Sequence, residues 1–448
     1  MINPTVFREY DIRGIADTDF TDDNVYVFGR GLGTYYRSHG ETKVVTAHDV
    51  RISSPRITAT LQRALNDAGC DVIDIGMAPT PVFYFSLFHY DIGSGVMVTA
   101  SHNPKKFNGF KINKNKNSIY GQEIQKVRKV ILENKFVSGK GSITKRDIFP
   151  QYIDYVVSQV TIKKGLKVAV DTGNGTCGPL AEQILKRIGV EHHILYKEPD
   201  GNFPHHLPDP TVVKYITTLI ETVKSGTFDC GIGFDGDGDR IGVLDEHGEV
   251  IWGDVLLAIY AEKILEKNPG AKIIFEVKCS KGLIERIREL GGIPLMYKTG
   301  HSLIKAKMKE EHSPLAGEMS GHIFFADRYY GYDDAMYAGL RLLEILSDDE
   351  KLSVLAQKVP QYFSTPEIRL ETSDEKKFHI VEELKNYFKK NYTVIDIDGV
   401  RVDFPDGWGL VRPSNTQPVL VLRFEAKTEQ RLEEIKNLIF DKLKEFTQ

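Results

Sequence analysis

Three aspartates, Asp235, Asp237 and Asp239, alternate with Gly236 and Gly238 between two apolar runs, and Arg240 follows at once. Carboxylates this close repel one another, and a folded chain settles them by pairing them with a cation. The glycines let the backbone turn tightly enough to aim all three at one point. Hard oxygen donors suit Mg²⁺ or Ca²⁺ better than zinc; a solvated acidic turn is the alternative. Gly231, Gly233 and Gly236 also spell G-x-G-x-x-G, but no helix pattern follows, so dinucleotide binding lacks its context. Asp235, Asp237, Asp239 and Glu246 fall at EF-hand spacings, yet Arg240 stands where that loop needs glycine, and the flanks read as strands.

Three further segments carry reactive or anion-binding groups. An apolar strand ends at Val98 and continues as Thr99-Ala100-Ser101-His102-Asn103-Pro104. A serine at the end of a buried strand is where α/β proteins place ligands, and a polar turn is the plainer reading. Gly317-Glu318-Met319-Ser320-Gly321-His322 offers partners for sugar hydroxyls and an imidazole that exchanges protons near neutrality, or a polar surface loop. Arg412-Pro413-Ser414-Asn415-Thr416-Gln417-Pro418 offers a guanidinium fork and several donors to a phosphate, or a proline-bounded turn.

The elements around these segments repeat. Val44-Val45, Val168-Ala169-Val170 and Ile273-Ile274-Phe275 each open a unit of apolar run, polar turn, helical stretch, glycine and second apolar run. Leu283, Ile287 and Leu290 show the helical period of the middle piece. Gly69, Gly189 and Gly291 stand where a helix C-cap is expected. Such units predict α/β layers in three related domains. The end differs: Thr393–Ile397 and Val419–Phe424 read as strands, and Leu432, Ile435, Ile439 and Leu443 mark one face of a final helix. From about residue 363 the chain therefore reads as a smaller α+β domain.

The bulk figures exclude some partners. Of 448 residues, 41% are hydrophobic and 27% charged, with 58 Lys and Arg against 62 Asp and Glu, a net charge of −4. A nucleic-acid partner normally needs a strong basic field, and no apolar stretch approaches the roughly 20 residues of a membrane span. Cys70, Cys177, Cys230 and Cys279 are far apart and read as reduced thiols. The opening MINPTVFREYDIRG has no signal-peptide pattern. The expectation is a cytoplasmic, soluble protein.

Taken in order, TASHNP, DGDGDR, GEMSGH and RPSNTQP resemble the α-D-phosphohexomutase superfamily, and the resemblance spans essentially the whole chain. FREYDIRG at 7–14, PDGNFPHHLPDP at 199–210 and KTGH at 298–301 are similar to the family too. The resemblance implies an α/β architecture of four domains around a central cleft. These are residues 1–146 with a phosphoserine loop, 147–250 with a metal loop, 251–362 with a sugar-binding loop, and an α+β domain, 363–448, with a phosphate-binding loop.

It also implies a reaction. Ser101 is carried as phosphoserine, and Mg²⁺ sits on Asp235, Asp237, Asp239 and a phosphoserine oxygen. A hexose monophosphate takes the phosphate, reorients as the hexose 1,6-bisphosphate, which also serves as activator, and returns the other phosphate to Ser101. Lys111 resembles the general acid/base of the family. As a base it would need cationic neighbours to lower its pKa. Arg13, Arg240, His301 and His322 match other catalytic positions. Tyr10, His102, Lys278, Glu318, Ser320, Arg412, Ser414, Asn415 and Thr416 match substrate-binding ones. The partner is a small phosphosugar, and the expected state is a monomer or weak dimer.

GEMSGH and RPSNTQP look most like the phosphomannomutase/phosphoglucomutase branch. There Glu318 and Ser320 would hold the 3- and 4-hydroxyls that mannose and glucose share. Met319 stands where phosphoglucosamine mutases usually have Gln, and Gln417 departs from the Glu of many relatives. A phosphoglucosamine mutase, a magnesium-dependent sugar phosphatase using the same serine, and a non-catalytic binding protein remain as alternatives.

Overall fold

The apolar runs that open the three sequence units become the middle strands of the parallel core of three sheets in the computed structural model, which describes residues 2–414 and 418–447. In the first, Lys43–His48 is flanked by Asp71–Met77 and Ser94–Val98. In the second, Lys167–Asp171 lies between Glu191–Leu195 and Cys230–Phe234. In the third, Lys272–Glu276 lies between Ile293–Tyr297 and Leu315–Gly317. The order is the same each time, with the first strand central and the second and third on either side.

Parallel neighbours require crossovers, here helices. These are Ser54–Asp67 and Thr80–His89, then Gly178–Arg187 and Thr217–Ser225, then Lys281–Glu289 and His301–Glu311. Gly69, Gly189 and Gly291 follow the first crossover helix of each copy with φ of 83°, 71° and 75°, as C-cap glycines should. The segments bearing Ser101, the three aspartates and Glu318 all leave the carboxyl end of a third strand. That is the end at which open α/β sheets hold ligands.

The chain forms two compact units, Met1–Gly253 with Ser320–Val354, and Asp254–Met319 with Leu355–Gln448. In the first unit, Phe107–Lys114 runs antiparallel to Ser94–Val98, and Ile12–Ile15 antiparallel to Phe107–Lys114. Val44, Val96 and Phe110 from this sheet pack with Phe28, Leu32 and Tyr36 of helix Asp22–Ser38. The Phe28 and Phe110 rings stack 4.4 Å apart. The second sheet adds the antiparallel strand Ile241–Leu244. Helix Ala335–Leu346 lies against that strand and Cys230–Phe234, which ties residues 320–354 to this unit.

The start of that helix is set by a buried carboxylate among aromatic rings. Asp334 caps it by accepting the Tyr337 N–H at 2.9 Å, and it takes hydroxyl hydrogen bonds from Tyr152 at 2.8 Å and Tyr329 at 2.6 Å. Burial outweighs these bonds and pushes the Asp334 carboxyl from 3.8 up to about 6. An acid with a raised folded pKa favours the fold when protonated, so its contribution is full below pH 3.8 and is lost as pH rises through 6. Asparagine keeps the cap without the charge. Relative to wild type, Asp334→Asn therefore gains roughly 3 kcal/mol of stability between pH 4 and 7. Thermal unfolding midpoints of both proteins across that range check this, and midpoints that move in parallel would refute it.

In the second unit, the C-terminal sheet is antiparallel, in the order Phe363–Ser364, Val419–Ala426, Gly407–Pro413, Val400–Phe404, Thr393–Ile395. Helices Asp374–Phe388 and Glu429–Thr447 pack on it through Leu384, Phe388, Ile435 and Ile439. Arg401 stacks 3.8 Å above the Trp408 ring and donates to the carbonyls of Val277 and Cys279 at 2.5 and 2.9 Å. This fastens the sheet to the loop after Lys272–Glu276. No helix among the described residues is long and apolar enough to cross a membrane.

Candidate active site

In the first unit, two third strands deliver Ser101 and the aspartates to one place. Ser101 is buried and sits at φ 49°, a left-handed conformation uncommon for a residue with a Cβ and frequent at functional sites. Its hydroxyl donates to Asp235 Oδ2 at 2.5 Å and lies 3.1 Å from His102 Nδ1. Asp235, Asp237 and Asp239 are all buried, and one oxygen of each lies within 4.8 Å of the others. Asp235 Oδ1 closes the loop by accepting the N–H groups of Asp239 and Arg240 at 3.0 and 3.1 Å.

Lys111 reaches this cluster because strand pairing sets it opposite Met97, beside the strand that leads to Ser101. Its ammonium lies 3.0 Å from Asp237 Oδ2 and is also ion-paired with Asp239. Burial opposes the Lys111 charge, but Asp237 and Asp239 together hold its pKa well above the ordinary lysine value. The charges nearest Lys111 are carboxylates and not the cationic neighbours that a lysine base would need.

Burial, with Asp239 and Asp237 beside it, pushes Asp235 well above the usual carboxylate range. Asp237 Oδ1 and Asp239 Oδ1 are buried without a hydrogen-bond partner among the described residues. Three buried carboxylates against the Lys111 ammonium and the Arg240 guanidinium still leave negative charge that a low-dielectric interior does not tolerate. Converging oxygens with open lone pairs fit a hard divalent cation.

His322 adds a second contact to the same loop. Arg240 Nε donates to His322 Nε2 at 3.0 Å. Arginine has no acceptor, so Nε2 carries the lone pair and the ring proton is on Nδ1. Nδ1 faces Asp333 Oδ2 at 3.0 Å. Asp239, His322 and Asp333 also bring ligand atoms within 4.8 Å, but with the ring proton on Nδ1 the imidazole has no lone pair on the side that faces Asp333, which argues against a second metal site. Arg13 Nη1 donates to Asn103 Oδ1 at 2.7 Å, and Nη2 pairs with Asp11. Burial and the charges of Arg240 and Arg13 hold His102 neutral, well below the usual histidine value. Tyr10 and Ser320 are half-buried.

The second unit gathers the remaining positions. Glu318 is buried, and its Oε1 accepts the Gly300 N–H at 2.6 Å, just before His301 opens helix His301–Glu311. Lys278 Nζ lies 3.6 Å from Glu276 and 3.4 Å from Glu367. Burial works to discharge it, and those two carboxylates more than compensate. Asp398 Oδ2 accepts from Arg412 Nε at 3.1 Å and from the Thr299 N–H at 3.0 Å. The Ser414 carbonyl accepts from Lys377 at 2.6 Å. Asn415 and Thr416 lie outside the described residues. Asp333 and Asp398, each facing a residue singled out above, were not found from sequence.

The repeated sheets and their loop clusters define a phosphohexomutase fold. Residues 4–138, 150–248 and 252–363 match phosphoglucomutase/phosphomannomutase alpha/beta/alpha domains I, II and III, and residues 367–442 match the C-terminal domain. A Pseudomonas aeruginosa protein named phosphomannomutase/phosphoglucomutase is 46% identical over 444 residues, covering 98% of this chain and 96% of that protein. A Neisseria gonorrhoeae protein named phosphoglucomutase is 43% identical over 441 residues, covering 97% and 96%. The crystal structure of a Burkholderia thailandensis phosphoglucomutase/phosphomannomutase family protein superposes with a TM-score of 0.94 at 42% identity, covering 100% of this chain and 98% of that one. The chain belongs to the phosphoglucomutase/phosphomannomutase family.

Proposed function

We propose that this enzyme interconverts hexose 1-phosphates and hexose 6-phosphates, taking mannose and glucose phosphates and carrying phosphate on Ser101. The carrying observation is the Ser101 hydroxyl set on Asp235, beside buried Asp237, Asp239 and Lys111. Phosphoryl transfer needs positioning and charge neutralisation more than covalent help. A divalent cation held by Asp235, Asp237 and Asp239, Mg²⁺ in this reading, would neutralise charge on the transferring phosphoryl oxygens. Lys111, held on the same aspartates as Ser101, would exchange the proton that the attacking hydroxyl loses and the leaving oxygen gains. Arg13 and Arg240 offset phosphate charge, with His322 holding the Arg240 fork.

Lys278, Arg412 and Ser414 take the phosphate that is not reacting, and Glu318 and Ser320 hold sugar hydroxyls. Each transfer breaks one P–O bond and forms another, so no phosphate is released. The four cysteines are free and buried, which supports a reducing, cytoplasmic setting.

Phosphorus NMR tests the reading. With Mg²⁺ and a trace of glucose 1,6-bisphosphate, mannose 1-phosphate and then glucose 1-phosphate should pass smoothly to the 6-phosphate with no free phosphate. Phosphate appearing in step with substrate loss makes the protein a phosphatase. Conversion of glucosamine phosphate alone would reassign the sugar.

A further inference from the structure

The three parallel cores share more than strand order. At the carboxyl end of each first strand stands a carboxylate: Asp49, Asp171 and Glu276. Each accepts the backbone N–H two residues further on, from Arg51 at 3.0 Å, Gly173 at 2.8 Å and Lys278 at 2.9 Å. Positions 51, 173 and 278 are therefore the same place in three copies of one fold. In the third copy the place holds the half-buried Lys278. In the first it holds Arg51, which is 1% exposed and turned into the protein.

All five N–H groups of the Arg51 guanidinium are used. Nε donates to Asp49 Oδ2 at 3.0 Å. Nη2 donates to the carbonyls of Ser101 and Asn103 at 2.7 and 2.5 Å. Nη1 donates to those of Pro104 and Phe107 at 2.9 and 3.0 Å. Four carbonyls of one segment thus converge on one cation. Asp49 Oδ2 also accepts the Ala100 N–H at 3.2 Å, so the same pair grips the segment on both sides of Ser101.

A second loop seats over the guanidinium. The Phe203 ring lies 5.5 Å from its central carbon. A Cβ added at Gly201 would stand 2.5 Å from the Val50 carbonyl and 2.9 Å from Arg51 Cα, so only glycine admits this approach.

We propose that Arg51 is a positioning residue for phosphoryl transfer. From behind, it fixes residues 101–107 in the left-handed turn that aims the Ser101 hydroxyl at the aspartates, and it does not touch substrate. The proposal rests on the reading of Ser101 as phosphate carrier. A displaced Oγ loses transfer rate while substrate binding, made by other residues, persists. Lysine cannot replace the fork, since one ammonium has three donors and no plane.

The test uses the whole enzyme, glucose 1,6-bisphosphate labelled with ³²P, and the variants Arg51→Ala and Arg51→Lys. The wild type should take label on Ser101, which checks the carrier reading by itself. In Arg51→Ala, labelling rate and kcat should fall by about 10²–10³-fold, with KM changed less than threefold. Guanidinium chloride at tens of millimolar should restore kcat at least tenfold, and urea, equal in shape but uncharged, should not. Where Arg51→Ala does not fold, Arg51→Lys carries the test, with kcat at least tenfold lower at unchanged KM. A labelled wild type with either folded variant at full kcat overturns the proposal and leaves the carrier reading standing. So does a folded Arg51→Ala that guanidinium cannot rescue. A wild type unlabelled at Ser101 removes the carrier reading, and the proposal with it.

Discussion

Ser101→Ala should lower turnover by at least about 10⁴-fold, as loss of a nucleophile does in other enzymes, while leaving the fold in place. In the proposed cycle the phosphate rides on Oγ, and alanine has nothing to carry it. The backbone does not object to the change. The φ of 49° is already borne by a residue with a Cβ, so alanine adds no strain, and the Ser101 carbonyl keeps its bond from Arg51. What is lost structurally is the hydrogen bond on Asp235, about 1–3 kcal/mol, or a fall of a few degrees in melting temperature. Phosphorus NMR gives the rate and calorimetry the midpoint. Turnover above a tenth of wild type, in a preparation free of wild-type protein, would remove Ser101 from the cycle. Added glucose 1,6-bisphosphate should not rescue the variant, because the acceptor atom itself is gone.

The four loops were legible in the sequence because each puts unusual residue types at the end of an apolar strand. Asp235 to Arg240 cannot be ordinary core, and Ser101 follows a strand that is buried throughout. The three repeats were legible because strand, helix and glycine recur in order, and the structure turns each into the same parallel core. What escaped depends on contacts between distant segments. Arg51 reads as a charged loop residue, and only the fold shows four carbonyls waiting for it. A signal was present, since D-x-R, D-x-G and E-x-K recur after the three first strands; it becomes visible once the repeats are aligned at their carboxyl ends. Val400–Phe404 alternates apolar and charged residues as a half-exposed strand would. The structure instead buries Arg401 against Trp408 and leaves Asp403 alone on that face partly exposed. Lys111 shows the same limit, because its charged state follows from strand register and the Asp loop, neither of which is written near residue 111.

Lys111 and Arg412 should separate cleanly when each is cut to alanine. Lys111→Ala should lower kcat by about 10²–10⁴-fold, the range of a lost general acid, with KM within a few-fold of wild type. Its ammonium sits on Asp237 and Asp239, beside the phosphate carrier, where charge develops during transfer. Arg412→Ala should instead raise KM by about 10- to 100-fold at nearly constant kcat. A charge-assisted hydrogen bond is worth about 1.5–3 kcal/mol, and one to the non-reacting phosphate exists in ground and transition states alike. Asp398 sharpens the second case, since it already fixes the guanidinium through Nε, and a fixed fork loses little entropy when phosphate arrives. Asp398→Asn should therefore share the sign of the Arg412 effect at smaller size. Steady-state kinetics with glucose 1-phosphate at saturating Mg²⁺ gives all three variants. Equal rises in KM with kcat spared for both alanine variants would move Lys111 out of the chemistry and into binding. A fall in kcat alone for Arg412→Ala would mean that its phosphate contact forms only as the bond breaks.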